Sequence, residues 1–184
     1  MGETGPGGGI VFYDAGAKQL WGRYLEAAPT DYQVSGDRAK VVWGCYGKET
    51  GAKATAIGTG KANTATILTN CTTAGIAADV ANKYSTTNTA GAPGAAGQWF
   101  LPSLDELNVL CKIYSNGRTD TTGYRYYQKG CTGNTAPTGG FAADYYWSSS
   151  ESYAGYAWDQ GFDIGSQDSY NKNATDYVRP VRAF

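Results

Sequence analysis

Tyr145-Tyr146-Trp147-Ser148-Ser149-Ser150-Glu151-Ser152-Tyr153-Ala154-Gly155-Tyr156-Ala157-Trp158-Asp159-Gln160-Gly161-Phe162-Asp163 is the stretch that decides the fold. Its first six residues read as a strand. From Ala157 to Asp163 apolar and polar residues alternate with period two, the pattern of a half-buried strand. On such a strand Asp159, Gly161 and Asp163 share one face. Trp158, Gln160 and Phe162 point the other way, which puts Trp158 and Phe162 in the core. Trp147 reads as core too. Upstream, Ser103-Leu104-Asp105-Glu106 is a capping box, with Ser at the N-cap and Glu three residues on. Leu107, Leu110, Cys111 and Tyr114 then give the apolar face of a helix that ends at Asn116-Gly117. Trp99-Phe100-Leu101-Pro102 is an apolar lead-in that packs against that face.

Farther out the signals are shorter. Thr73 to Tyr84 predicts another helix, with Ile76, Val80 and Tyr84 on one face beside Ala77 and Ala81. Ile10-Val11-Phe12-Tyr13 and Tyr24 to Pro29 read as an N-terminal hairpin turning at Asp14-Ala15-Gly16. Val41-Val42-Trp43 is a short strand or a buried loop anchor, and 124–128 an extended piece. Tyr177 to Phe184 is a last strand, with Pro180 marking an edge or a bulge. Ile57 to Thr64 is Gly- and Thr-rich but lacks the GxxxxGK[ST] spacing, so it reads as a loop leading into a helix rather than a phosphate loop. Two helices packed on short antiparallel sheets with long loops predict an α+β fold, as a single domain over 1–184.

Composition narrows the function. With 15 basic against 16 acidic residues there is no electrostatic footprint for nucleic acid. No apolar run reaches the roughly 18 residues of a membrane span, so direct membrane insertion is not expected. Met1 is followed at once by Gly2-Glu3-Thr4-Gly5, so no secretory signal opens the sequence, which reads as an excised domain. The absence of His removes the Ser-His-Asp triad, the Cys-His pair and the His-ligated zinc site. The 26 Gly and 15 Tyr fit a loop-rich chain whose Tyr, Ser, Gly and Asn resemble the make-up of a binding paratope.

Cys45, Cys71, Cys111 and Cys131 form no CxxC pair, which sets zinc ribbons aside. An even count suits disulfides in an oxidising compartment, and so an extracellular or cell-surface site. Of three connectivities, Cys45–Cys71 and Cys111–Cys131 is favoured, because each closes a moderate loop between neighbouring segments. Free buried thiols are the alternative.

In order along the chain, "GPGGGIVFY", "LEAAP", "IGTGKANT", "WFLPSLDELNVL", "YYWSSSE", "AWDQGF" and "YVRPVRAF" resemble the bacterial family of the collagen-like adhesin C-terminal domain. The resemblance spans nearly the whole chain and implies a C-type lectin-like fold. It also implies ligand binding: such a family includes surface adhesins for sulfated glycans and variable proteins of diversity-generating retroelements. Those retroelements rewrite a C-terminal segment by mutating adenines in template codons, and residues 147–184 are similar to such a variable region. An AAC or AAT codon mutated at its first two positions yields Asn, Ser, Asp, Tyr, Gly, Ala, Thr, Ile or Phe, among others. It never yields Trp, Gln, Lys or Glu. Between Ser152 and Asp176 only Trp158, Gln160, Gln167 and Lys172 are unreachable, so these four read as fixed scaffold. The alternative is an ordinary polar loop.

The candidate ligand-binding residues are Tyr153, Tyr156 and Tyr170 as aromatic faces and Asp159, Asp163, Asp168 and Asp176 as charges. Ser166, Ser169, Asn171 and Asn173 add adaptable hydrogen bonds. A diversified surface predicts that the Tyr and Asp side chains are exposed and clustered on one face. The competing reading is a fixed-specificity glycan- or host-binding adhesin. Sulfated glycans need clustered cations, and only Lys172, Arg179 and Arg182 lie in this region. An enzyme is not expected: no Cys follows Cys131 for formylglycine-type chemistry, and Asp159 with Asp163 is a weak carboxylate pair. No metal or cofactor is assigned; the EPN- and QPD-type motifs of calcium-dependent sugar binding are absent, and Asp168, Asn171 and Asn173 are too scattered to claim calcium. Gly2 to Gly7 is compatible with two collagen-like triplets, too few for a triple helix. The expected partner is a protein or glycan on another surface, and the expected state a monomer or, on a collagen stalk, a trimer.

Overall fold

The computed structural model describes residues 2–85, 97–115, 128–129, 131–133 and 135–184. In chain order the elements are β1 (Ile10–Gln19), β2 (Gly22–Ala27), β3 (Gln33–Val34), β4 (Asp37–Arg38), β5 (Lys40–Val42), α1 (Gly60–Asn70), α2 (Ala77–Lys83), α3 (Leu104–Tyr114), β6 (Gln128–Lys129), β7 (Tyr145–Tyr153), β8 (Tyr156–Gly161), β9 (Ser166–Asn171), β10 (Thr175–Tyr177) and β11 (Val181–Ala183). The mixture is α+β, as expected. Among the described residues three helices stand where two were expected, because α1 takes up the chain after the Gly-rich loop. Its polar, Thr-rich sequence hides it from an apolar-periodicity search.

Strands form a three-stranded sheet ordered β1-β2-β11, a six-stranded sheet ordered β5-β10-β7-β8-β9-β6, and the small β3-β4 pair. The large sheet is mixed rather than purely antiparallel, since β10 runs parallel to β7 where Tyr177 meets Tyr146. The N-terminal hairpin forms, but its strand runs through the expected turn at Asp14 to Gly16 and reverses at Leu20-Trp21. The last strand splits into β10 and β11 around Arg179-Pro180, where proline cannot donate to a ladder. The helix expected from Thr73 starts later, at Ala77. The extended piece over 124–128 lies outside the described residues except Gln128, as does the Asn116-Gly117 helix end.

Two cores flank the large sheet. Trp43, Ile67, Ile76, Leu101, Trp147 and Val178 form one beneath α1 and α2. Phe12, Leu25, Leu107, Leu110, Phe141, Tyr146 and Phe162 form the other against α3. Tyr146 and Trp147, adjacent on β7, enter different cores, so the strand is covered on both faces. That explains why Tyr146 to Glu151 are all buried although four of the six are Ser or Glu. The serines are satisfied individually. Ser148 Oγ donates to the Trp158 carbonyl at 2.6 Å, and Ser150 Oγ to that of Ala54 at 2.8 Å while accepting from Leu104 N. Asn63 Nδ2 donates to Ser149 Oγ at 3.3 Å.

The capping box at the start of α3 is present as read: Glu106 N donates to Ser103 Oγ and Ser103 N to Glu106 Oε2. Glu106 also accepts Gly58 N at 2.7 Å, which ties the loop before α1 to α3. Its burial pushes the carboxyl up to about 7 against those bonds. At the N-terminus, Gly7 N and Gly9 N donate to the buried Glu26 carboxylate. A Cβ at Gly7 would stand 2.6 Å from Glu26 Oε1 and 2.7 Å from Arg182 Nη1, so the Gly run is a fitted turn rather than a stalk. Disulfides Cys45–Cys71 and Cys111–Cys131 link the favoured pairs, with Cα atoms 5.9 and 5.8 Å apart. Among the described residues no helix is long and apolar enough to cross a membrane.

Candidate ligand-binding site

The C-terminal sheet places the candidate residues in three settings. The β7–β8 hairpin pairs Tyr153 with Tyr156 across its tip, and their rings stack at 4.6 Å. Tyr46 lies beside them: a Cβ on Gly155 would be 3.2 Å from its ring. Tyr153 and Tyr46 are each about half exposed. This aromatic tip brings together two residues expected from the sequence and one that no local signal marked.

The second setting is a concavity of about 860 Å³ on the large sheet. Lys40, Asp144, Tyr145, Trp158, Asp159, Asp168, Ser169, Tyr170, Ala174, Thr175 and Asp176 line it. Register builds it: Asp159 pairs with Trp147 on one side and Asp168 on the other, so their side chains share a face. Asp176 arrives on β10 from across the sheet. Asp168, Ser169, Tyr170 and Asp176 were expected to be contact residues, and the fold brings them together. The expectation that the Asp side chains are exposed needs correction. Asp159, Asp168 and Asp176 are 1%, 9% and 5% exposed, and Ser166 is 8% exposed. The three Asp residues form the floor of the concavity, while Ser166 lies outside its lining and donates to Asp168 Oδ2. Trp158 also departs from expectation: it lines the concavity half-buried, while Phe162 is in the core.

The third setting is the connections. Asp163 sits in the turn after β8, off the strand that was expected to carry it, with its carboxylate accepting Ile164 N at 2.9 Å. It therefore shares no strand face with Asp159, and the carboxylate pair does not exist as drawn. Asn171 Oδ1 accepts Asn173 N in the β9–β10 turn, where Asn173 is exposed.

The floor gathers three carboxyls that burial raises together. Burial first, then the neighbouring Asp176 and Asp168 carboxyls, push Asp159 up to about 9. Burial pushes Asp176 up to about 6, partly offset by Lys40. Burial also raises Asp168, against hydrogen bonds from Ser166 and Tyr145. Tyr145, on the wall, rises to about 12 through burial, opposed by its bond to Ser166 Oγ at 3.2 Å. Lys40 is held at the rim by Asp144, 2.7 Å away. Lys40, Asp144 and Tyr145 were not legible as site residues, since the first two lie 104 positions apart and no spacing links them.

The cations expected to matter for a sulfated glycan are engaged inside the fold. Lys172 is fully buried on Glu151 at 2.6 Å, Arg179 on Asp31 at 2.6 Å, and Arg182 reaches Glu26 at 2.8 Å. Among the described residues no group of three or more Asp, Glu or Cys side chains is arranged to hold a metal ion.

This α+β scaffold, disulfide-linked and carrying an aromatic-rimmed concavity on its C-terminal sheet, defines a ligand-binding, adhesin-like domain. The chain belongs to the Lcl C-terminal domain family, whose model matches residues 32–182. A search of the curated proteins found no match to the chain.

Proposed function

We propose that this chain is a non-catalytic ligand-binding domain of C-type lectin-like fold, displayed at a cell surface or outside the cell, whose C-terminal segment 147–184 carries a diversified recognition surface. One observation carries the reading. Between residues 152 and 176 the exposed positions are Tyr153, Ile164, Tyr170, Asn173 and Thr175. All five are residue types that adenine-directed mutation of an Asn codon reaches. Of the four unreachable residues, Gln160, Gln167 and Lys172 are buried, and Trp158 is half-buried. Every exposed position is thus reachable and no unreachable residue is exposed, as expected when a rewritten surface is laid over an unaltered scaffold, while the reachable set also extends to buried Asp159, Ser166, Asp168 and Asp176.

The scaffold residues have physical reasons to be constant. Gln160 Nε2 donates to the Ser166 carbonyl at 2.8 Å, bracing the β8–β9 turn. Lys172 Nζ donates to Glu151 and to the Lys48 carbonyl and lies 4.6 Å from the Trp43 ring centre. The two disulfides support an oxidising location.

A display library that randomises Tyr153, Ile164, Tyr170, Asn173 and Thr175 together, panned against protein and glycan arrays, tests the proposal. The expected result is folded display of most members and enrichment of different sequences on different targets. A library that loses display, or that enriches on no target, overturns the reading.

A further inference from the structure

The floor of the concavity combines features that a stable fold otherwise avoids. Three carboxyls converge there, each at least nine-tenths buried. Asp159 Oδ1, Asp168 Oδ1 and Asp176 Oδ2 accept no hydrogen bond from any described residue, although Asp168 Oδ2 accepts Ser166 Oγ at 3.3 Å, the Asp159 carboxyl accepts the Asp168 backbone N–H, and Asp159 and Asp176 share a hydrogen bond. Buried polar oxygens are ordinarily paired, and buried charges ordinarily meet a counter-charge. Lys40 is the one cation in the lining, and Asp144 at 2.7 Å and the Tyr177 ring at 5.0 Å hold it at the rim. The walls are aromatic: Trp158, Tyr145 and Tyr170. Acceptors at the bottom and ring faces at the side are the two elements that bind an organic cation. The volume, about 860 Å³, is in the range of small-molecule and side-chain pockets.

We propose that this concavity receives the ammonium or guanidinium head of a Lys or Arg side chain on a protein partner, seated on Asp159, Asp168 and Asp176 and flanked by Trp158 and Tyr170. A basic side chain suits the lining: its slender apolar stem packs along Trp158 while the head meets the carboxyls. An amino sugar carries its ammonium directly on a bulky ring and brings that ring to the floor with it. The inference rests on the ligand-binding reading and specifies the chemistry of its ligand. Arrival of the cation displaces the proton that the crowded floor retains, so affinity rises with pH. The groups that face Asp159 in this balance are Lys40 on β5, Asp144 just before β7, Tyr145 at its start, Asp168 on β9 and Asp176 on β10.

The test titrates the whole chain with Nα-acetyl-arginine methylamide, Nα-acetyl-lysine methylamide, its Nε-acetylated analogue, glucosamine and calcium chloride, read by calorimetry and NMR shifts. The two cationic derivatives are expected to saturate, with the Nε-acetylated analogue at least tenfold weaker. For the arginine derivative, affinity rises up to about tenfold per pH unit between pH 7 and 8, the signature of one displaced proton. Asp159→Asn and Asp168→Asn are each expected to weaken binding tenfold or more while the far-UV spectrum is retained. Tyr170→Ser, at an exposed rim position, weakens it severalfold and serves if an Asp variant does not fold. Absence of saturation by either cation, equal binding of the neutral analogue, variants that bind unchanged, or occupation by glucosamine or calcium in place of the basic derivatives overturns the inference. A diversified library that enriches on targets while these derivatives fail to bind removes this inference alone and leaves the proposed function standing.

Discussion

Glu151 and Asp159 are both buried carboxylates on the same sheet, one on β7 and one on β8, yet they are handled in opposite ways. Glu151 accepts Lys172 Nζ at 2.6 Å, Thr50 N at 2.8 Å and Gly51 N at 2.8 Å. Burial pushes its carboxyl up, but these bonds outweigh it and hold the group below the usual range. Asp159 lies among two other carboxyls with an unpaired oxygen and is pushed up to about 9. The first is a closed hub that fastens the β9–β10 turn to the loop before α1. The second is an open cluster at the bottom of a concavity. A fold that satisfies one buried carboxylate fully and leaves the other with an orphan oxygen and no counter-charge is separating scaffold from site.

The largest break in that contrast comes from opening the closed hub. Lys172→Met leaves Glu151 buried without its cation, and is expected to cost about 3–5 kcal/mol. For a chain of this size that lowers the melting temperature by roughly 10 °C, followed by circular dichroism. Replacing Glu151 by Gln in the same chain should restore a large part of it. Next comes the disulfide beside the hub. Replacing Cys45 and Cys71 by Ser removes a crosslink over 26 residues and is expected to cost about 3 kcal/mol in urea unfolding.

Asp159→Asn should act in the opposite direction. A carboxyl whose folded pKa is raised gives stability that is complete below about 4 and is lost as pH rises toward about 9. The amide carries no charge to desolvate. The variant should therefore be more stable than the parent at pH 8, by at least about 1.4 kcal/mol, with the gain vanishing near pH 4. Urea midpoints across this range check it; a variant destabilised at pH 8 would make Asp159 part of the scaffold. The smallest effect is at the surface. Ile164→Ser and Asn173→Ser should each change stability by less than about 0.5 kcal/mol.

How much of this was legible in the sequence followed the range of the forces involved. The α3 capping box is a three-residue device, and its residues announce it directly. Strand β8 was visible from alternation, and both disulfides from loop length. Helix α1 was missed because Thr and Asn hold its inward face by hydrogen bonds, with Thr64 Oγ1 donating to the Gly60 carbonyl and Asn63 Nδ2 to that of Ala54. Strand β9 was missed because Ser166 to Asn171 contains a single apolar-bodied residue, Tyr170, and reads as loop. Tyr153, Tyr156 and Tyr170 were identified by composition, whereas Tyr46 and Tyr145 were not, and burial of the three aspartates depends on a register that joins β8, β9 and β10. Lys40 and Asp144 join the site only through long-range pairing, which no local pattern encodes.

The most direct test of a rewritten surface on a constant scaffold is to sequence the encoding DNA with its flanks. The account predicts a near-copy of the codons for residues 147–184 beside a reverse transcriptase gene. Mismatches should fall at adenines and include the codons of Tyr153, Tyr170 and Asn173, while those of Trp158, Gln160, Gln167 and Lys172 agree in both copies. Absence of such a copy, or mismatches concentrated in those four codons, would contradict the account and leave a domain of fixed specificity.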